Sequence, residues 1–355
     1  MWPYLLKRLA ILVPTLIGIL TLTFIVTQFV PGGPIDHAMN QMDADAGGTS
    51  DEGGGANNAG GWVYSGRRGL DQAQIDQLTK LYGFDQPPLQ RYFHMLGNFA
   101  RFDLGYSYFR HQTVWALIIE KLPVSLTLGL WAVILTYLIS IPLGIAKAVH
   151  NGSRFDLVTS LLVLTGYAVP GFVLGVLLIL VLGSGSFLDL FPLRGLTSDG
   201  WSRLGTWAKI TDYLWHIALP VTATVIGTFA LKTLLTKNTF LDEINRQYVL
   251  TARAKGLSER QVLGKHVMRN ALLPLITGFP YTFITAFFTG SLLIETLFSL
   301  DGLGLLSFEA IQSRDYPVVL GTLYLFTLIG LLIKLLADLA YLVVDPRVDF
   351  EAKHG

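Results

Sequence analysis

Residues Thr239 to Pro274 read TFLDEINRQYVLTARAKGLSERQVLGKHVMRNALLP, a long polar segment between two strongly apolar ones. The pattern predicts two short helices meeting at a sharp corner at Gly256. The first, over Phe240 to Lys255, puts Phe240, Ile244, Tyr248, Thr251 and Lys255 at helical spacing, with Asp242 and Arg246 four apart on another face. Gly256 can take the left-handed conformation that ends a helix, and Leu257 follows as the hydrophobe of such a stop. Ser258 is then the N-cap of the second helix. Gln261 completes a capping box, and Leu257 with Val262 forms a hydrophobic staple, so Leu257 serves both caps. Ala252, Ala254 and Gly256 lack bulk and let another surface approach, while Arg246, Arg253, Lys255, Arg260, Lys265 and Arg269 surround them with positive charge. A basic loop lying under anionic headgroups is the competing reading.

A chain of 355 residues that is 52% hydrophobic and 14% charged, with mean hydropathy +0.50, is an integral membrane protein rather than a soluble globule. Net charge +1 offers no footprint for nucleic acid. The absence of cysteine excludes disulfides, thiolate metal sites and cysteine nucleophiles.

The apolar run Leu9 to Val30 follows Lys7 and Arg8 and is about 33 Å long as a helix, enough to cross a bilayer. It ends in Val-Pro-Gly-Gly, not at a small-x-small cleavage site, and reads as a retained anchor (residues 1–30) with its N-terminus cytoplasmic. Residues 31–121 form an external segment. Its first part, Asp36 to Gly66, is a Gly-rich loop in which Asp43 and Asp45 lack the oxygen ligands of a calcium loop, so no metal is assigned. A small helical lid follows, with a capped helix from Asp71 to Gly83 and another after Pro87-Pro88 carrying Leu89, Tyr92, Phe93, Leu96 and Phe99 on one side. Residues 122–355 hold five further spans, at Leu122–Ala146, Leu157–Leu182, Leu214–Leu235, Ala271–Phe298 and Val318–Val344. Six crossings return the C-terminus to the cytoplasm. The loop over residues 236–270 is then inside: it holds Lys237, Arg246, Arg253, Lys255, Arg260, Lys265 and Arg269, against Arg314 alone between Ser299 and Pro317.

Pro14, Pro142, Pro170, Pro220 and Pro280 punctuate these spans, where kinks are tolerated against neighbouring protein or a watery cavity. Tyr167, Pro170 and Gly171, with Gly166, form a candidate pathway-lining break. Charge within the spans is sparse: Lys334 and Asp338 can neutralise each other, Lys232 can snorkel to a cytoplasmic end, and Glu295 is a candidate gate or an ion-pair partner for a neighbouring helix. Nothing resembles a proton relay. No G-x-x-x-x-G-K-[ST] stretch or H-E-x-x-H spacing occurs, so no enzyme is read, and His216 and His266 are packing residues.

The stretch Tyr248 to Gly256, YVLTARAKG, with Leu257 to Pro274, resembles the coupling segment of peptide-class ATP-binding cassette importer permeases. The glutamate of the wider family pattern is absent: aligned through Gly256, this chain has Leu250, Thr251 and Ala252, and Leu273-Pro274 lies farther from Gly256 than in sugar importers. Gly97 to Tyr108 (GNFARFDLGYSY), Glu295 to Tyr316 (ETLFSLDGLGLLSFEAIQSRDY) and Asp345-Pro346-Arg347 resemble other signatures of dipeptide and oligopeptide permeases. The Gly-rich insert, Phe191 to Gly195 and Ile210 to Pro220 resemble the microcin C type. The resemblance implies an all-α, six-helix permease of the type I importer class in a bacterial inner membrane, forming half of a pathway for peptides. It implies a second, homologous permease subunit, two ATP-binding subunits or one fused chain that bind ATP and Mg, and a periplasmic peptide-binding protein. Tyr248, Thr251, Ala252, Arg253, Ala254, Lys255, Gly256, Leu257 and Ser258 are the implied ATPase-coupling residues. A non-transporting docking or receptor protein and a passive channel are the alternatives.

Overall fold

The computed structural model describes residues 2–29, 85–107, 109–288 and 292–344. The Gly-rich loop, the capped helix expected from Asp71 and the Asp345-Pro346-Arg347 ending lie outside the described residues. The helices, in order, are α1 (Trp2–Phe29), α2 (Pro88–Ala100), α3 (Val114–Val149), α4 (Arg154–Ala168), α5 (Gly171–Leu182) and α6 (Thr206–Ile244). There follow α7 (Gln247–Ala254), the single turn α8 (Glu259–Gln261), a π-helical turn (Val262–Val267), α9 (Met268–Ala271), α10 (Leu273–Phe288), α11 (Leu292–Leu297), α12 (Leu303–Gln312) and α13 (Tyr316–Val344). A two-residue antiparallel ribbon pairs β1 (Tyr106–Ser107) with β2 (Gln112–Thr113).

Among the described residues four helices are long and apolar enough to cross a membrane: α1 over Leu6–Phe29, α3, α6, and α13 over Tyr316–Leu339. The expected spans Leu122–Ala146 and Leu214–Leu235 are the apolar centres of helices of 36 and 39 residues. At 1.5 Å per residue α6 is about 58 Å long, roughly twice the hydrocarbon thickness of a bilayer. The expected single helix Leu157–Leu182 is instead two, α4 and α5, which together pass the same test but are bent by 96°. The cause is local. Pro170 disfavours helical geometry at Val169, whose ψ is 119°, and Gly171 packs so closely on α6 that a Cβ there would lie 3.1 Å from the Ala223 carbonyl oxygen. The expected span Ala271–Phe298 is likewise divided between α9, α10 and α11.

The helices group into two compact units. The first comprises the described parts of Met1–Arg8, Ile119–Leu306 and Ile329–Gly355. One of its cores joins Leu128 and Ala132 of α3, Val221 and Ala223 of α6, and Ile294 of α11; a second joins Ala148, Phe240, Val249, Ala252, Val262 and Val267. Asp338 is engaged by Arg8 at 3.1 Å instead of by Lys334, which is exposed, because helical spacing alone does not show which neighbour crosses nearby.

The second unit comprises the described parts of Leu9–Ile118 and Ser307–Leu328. The Tyr92 ring of α2 lies 5.4 Å from that of Phe24 in α1, and its hydroxyl is 2.6 Å from Thr21 Oγ1. That contact turns the expected α2 stripe: Phe99 is buried, Tyr92 and Leu96 are half-buried, and Leu89 and Phe93 are exposed. The hydroxyl of Ser107 donates to the Asp315 carboxylate, Arg110 pairs with Glu309, and Tyr324 donates to the Phe99 carbonyl at 3.1 Å. The stretch Gly97–Tyr108, of which residues 97–107 are described, and the end of Glu295–Tyr316 are thereby fastened together. Burial pushes the Asp315 carboxyl above the usual carboxylate range, and the Ser107 hydrogen bond opposes it.

Candidate coupling corner and pathway residues

The corner at Gly256 is built from both sides. Gly256 has φ +81°, its N–H donates to the Arg253 carbonyl at 2.9 Å, and the Leu257 N–H reaches the Ala252 carbonyl at 3.4 Å. These are the two bonds of a Schellman stop. The capping box forms on the other side, the Ser258 N–H donating to Gln261 Oε1 at 3.2 Å, and Leu257 packs on the core containing Val262.

Two features of the stretch differ from the sequence expectation. The first helix does not run from Phe240 to Lys255. Phe240 to Ile244 complete α6, the chain breaks at Asn245-Arg246, and α7 starts afresh at Gln247. The break rotates the inward face, so Val249 and Ala252 are buried while Thr251 and Lys255 are exposed. The second helix passes through the π-helical turn, where each N–H reaches back five residues.

The nine implied coupling residues therefore divide. Ala252 faces the core, Tyr248, Arg253 and Leu257 are half-buried, and Thr251, Ala254, Lys255, Gly256 and Ser258 are exposed. Leu250, which the alignment places where the wider family has its glutamate, is 57% exposed one helical turn before Ala254 and joins that surface. Arg253 makes a forked contact with Glu259 at 2.8 and 3.1 Å across the corner. Burial, followed by the adjacent Glu243 carboxylate, pushes the Tyr248 phenol above its ordinary value. Next to the π turn, Ile145, Phe240, Arg260, Leu263, Gly264 and Met268 line a cleft of about 410 Å³.

Tyr167, Pro170 and Gly171 come together at the bend between α4 and α5, with Tyr167 and Pro170 exposed. Glu295 is not on that surface. It is buried in α11, where its Oε2 accepts from the Leu305 N–H at 2.7 Å and its Oε1 lies 3.5 Å from Ser125 Oγ. Ser125 in turn accepts from the Leu303 N–H at 2.9 Å. A Cβ on Gly302 would lie 2.5 Å from the Glu295 carboxylate, so glycine is what lets the loop close over it. Among the described residues no group of three or more His, Asp or Glu could hold a metal ion.

A cluster not anticipated in the sequence ties α3, α4 and α6 together. Lys147, fully buried, places Nζ 3.0 Å from Asp156 Oδ1, 2.9 Å from Thr159 Oγ1 and 2.7 Å from Ser160 Oγ. Lys237 reaches both Asp156 oxygens at 2.8 and 2.7 Å, and the Gly152 N–H adds a bond at 3.1 Å. The available signal was a lysine at a helix end, a tight Asn-Gly-Ser turn, and an aspartate in the first turn of the next helix.

The corner, the long α6 and the divided spans can be set beside known proteins. Residues 140–350 match the family described as binding-protein-dependent transport system inner membrane component. The chain belongs to this family. It is 54% identical to the inner membrane ABC transporter permease protein YejB of Escherichia coli O157:H7, over 99% of this chain and 100% of that one. Identity is 53% to the peptidoglycan transport system permease protein YejB of Agrobacterium fabrum, with the same coverage. The oligopeptide transport system permease protein AppB of Bacillus subtilis is 33% identical, over 98% of this chain and 99% of its own length. The family membership agrees with the resemblance read from YVLTARAKG and from the stretch beginning at Glu295.

Proposed function

We propose that this chain is the permease subunit of an ATP-driven, binding-protein-dependent importer of peptides in a bacterial inner membrane. The observation that carries the reading is the Gly256 corner: it is capped on both sides, exposed at its tip, and set after a helix of 39 residues that outreaches the bilayer. A corner fixed by its own caps can transmit force from a partner without unfolding. The partner implied by the family is an ATP-binding subunit, docking through Leu250, Thr251, Ala254, Lys255 and Gly256. Two such subunits, or one fused chain, would bind ATP and Mg. A second, related permease would complete the pathway, and an external binding protein would deliver the substrate.

The proposed topology has six crossings, with α4–α5 as one bent span and α10–α11 as another, and both termini cytoplasmic. The placement of Lys and Arg favours it, since the loop over residues 236–270 carries seven of them. Peptides are the proposed cargo because relatives over nearly the full length are named for oligopeptide, dipeptide and peptidoglycan transport, chemistries that share a peptide portion. Microcin C-like peptides fall in the same class. Tyr167, Pro170 and Gly171 are the proposed pathway contacts, the bend giving α5 a hinge against α6.

The test is affinity purification from native membranes in mild detergent, with mass spectrometry of the associated chains. ATP-binding subunits and a second permease are expected with the wild type. Gly256→Pro and Ala254→Trp should lose the ATP-binding subunits while still inserting in the membrane. Recovery of the wild-type chain alone would favour a docking protein or a channel, and normal association of both variants would remove the corner from the coupling role.

A further inference from the structure

Lysines withdrawn from water in the first unit meet carboxylates: Lys121 meets Glu120 and Asp301, and Lys147 and Lys237 share Asp156. Two half-buried lysines of α6 meet an aromatic ring instead: Lys209, whose Nζ lies 5.1 Å from the centre of the Trp201 ring near the start of the helix, and Lys232, within the apolar run. Among the described residues Lys232 has no carboxylate partner and no hydrogen bond. Its Nζ instead lies 5.7 Å from the centre of the Tyr137 ring on α3. On another side is Gly278 of α10, where even a Cβ would stand 3.8 Å from Nζ. The Tyr137 ring meets Phe279 edge-on at 5.5 Å, and Phe279 is 42% exposed.

An ammonium in an apolar span is costly without an anion, and a ring face returns only part of that cost. The glycine leaves room beside the charge, and the aromatic surface continues outward from it. We propose that Lys232 is a transit site for the C-terminal carboxylate of the substrate peptide, with Tyr137 and Phe279 receiving the adjoining side chain. The inference rests on the reading of this chain as a peptide permease. A free carboxylate is common to unmodified peptides of any sequence, so one cation beside tolerant aromatic faces suits varied cargo. Lysine presents a compact, mobile point charge that a passing carboxylate can meet without a fixed geometry. The competing anion is a net-acidic lipid headgroup, because Lys232 lies three residues before Leu235 at the end of its apolar run.

The complete complex, with its ATPase and binding protein, is reconstituted in liposomes and uptake of trialanine is compared with that of trialanine amide. Concentrations are set to give equal wild-type rates. Lys232→Met should lower uptake of the acid about tenfold relative to the amide, the worth of one charge-assisted contact, while Lys232→Arg retains it. Gly278→Asp, which supplies an internal counter-ion, should act selectively on the acid in the same way and stands in if Lys232→Met fails to assemble. Equal loss of both peptides, or an unchanged ratio, overturns the proposal. So does an effect that is present with anionic lipid and vanishes in phosphatidylcholine, which would assign Lys232 to headgroups. Failure of the assembled wild type to take up either peptide overturns the permease reading itself, and this site with it.

Discussion

Asp156 and Glu295 are both buried carboxylates of the first unit, 6% and 2% exposed, yet their surroundings differ in kind. Asp156 is met by two ammonium groups, with the Gly152 N–H adding a further bond. Glu295 has the Leu305 N–H and the Ser125 hydroxyl as neighbours and is closed over by the bare backbone of Gly302. The first arrangement balances charge and joins three helices. The second folds the loop after α11 back onto its own helix, with Gly302 where any side chain would meet the carboxylate. Removing a partner should therefore be severe in the first case because charge is stranded, whereas adding an atom should be harmful in the second because no space remains.

The largest expected effect is from Asp156→Ala, which leaves buried Lys147 and half-buried Lys237 without their carboxylate and should cost about 3–5 kcal/mol. Thermal unfolding of the detergent-solubilised chain reads it; a midpoint like that of the wild type would show that water or lipid already balances the lysines. Gly302→Ala comes next, at about 1–3 kcal/mol, because the new methyl displaces the Glu295 carboxylate. The cost should disappear when Glu295→Ala is already present, and persistence in that background would place the strain elsewhere. Ser125→Ala should cost about 1 kcal/mol by depriving the Leu303 N–H of its acceptor, seen as faster amide exchange at Leu303. Unaltered exchange there would show that the bond contributes nothing. Arg253→Ala is the control at the other extreme: its exposed pair with Glu259 should be worth less than about 0.5 kcal/mol, and a larger drop in the midpoint would give the corner an ionic component that its caps do not require.

Where local chemistry decides the conformation, the sequence was readable. Gly256, Leu257, Ser258 and Gln261 each have a role that depends on neighbours within a few positions, and all four adopt it. The long apolar runs likewise marked α1, α3, α6 and α13. Pro170 was recognisable as a break, but the 96° bend also depends on how Gly171 meets Ala223 of α6, a contact between positions far apart in the chain. Lys237 and Asp156 are separated by 81 positions, so no periodicity connects them. Glu295 could be singled out as a charge in an apolar span, but its inward direction follows from Gly302 and Leu305 returning over it. The start of α7 was missed because Asn245-Arg246 carries no glycine or proline to announce a break.

The π-helical turn over Val262–Val267 has a consequence for the length of the chain. In a regular helix, loss of one residue would turn everything beyond it by roughly 100° and point the inward side chains outward. A π turn already holds one residue more than an α turn, so shortening the chain at Gly264 can restore ordinary winding while Val262 before it and Ala271 after it keep their orientation. The segment between the Gly256 corner and Leu273 thus has two workable lengths.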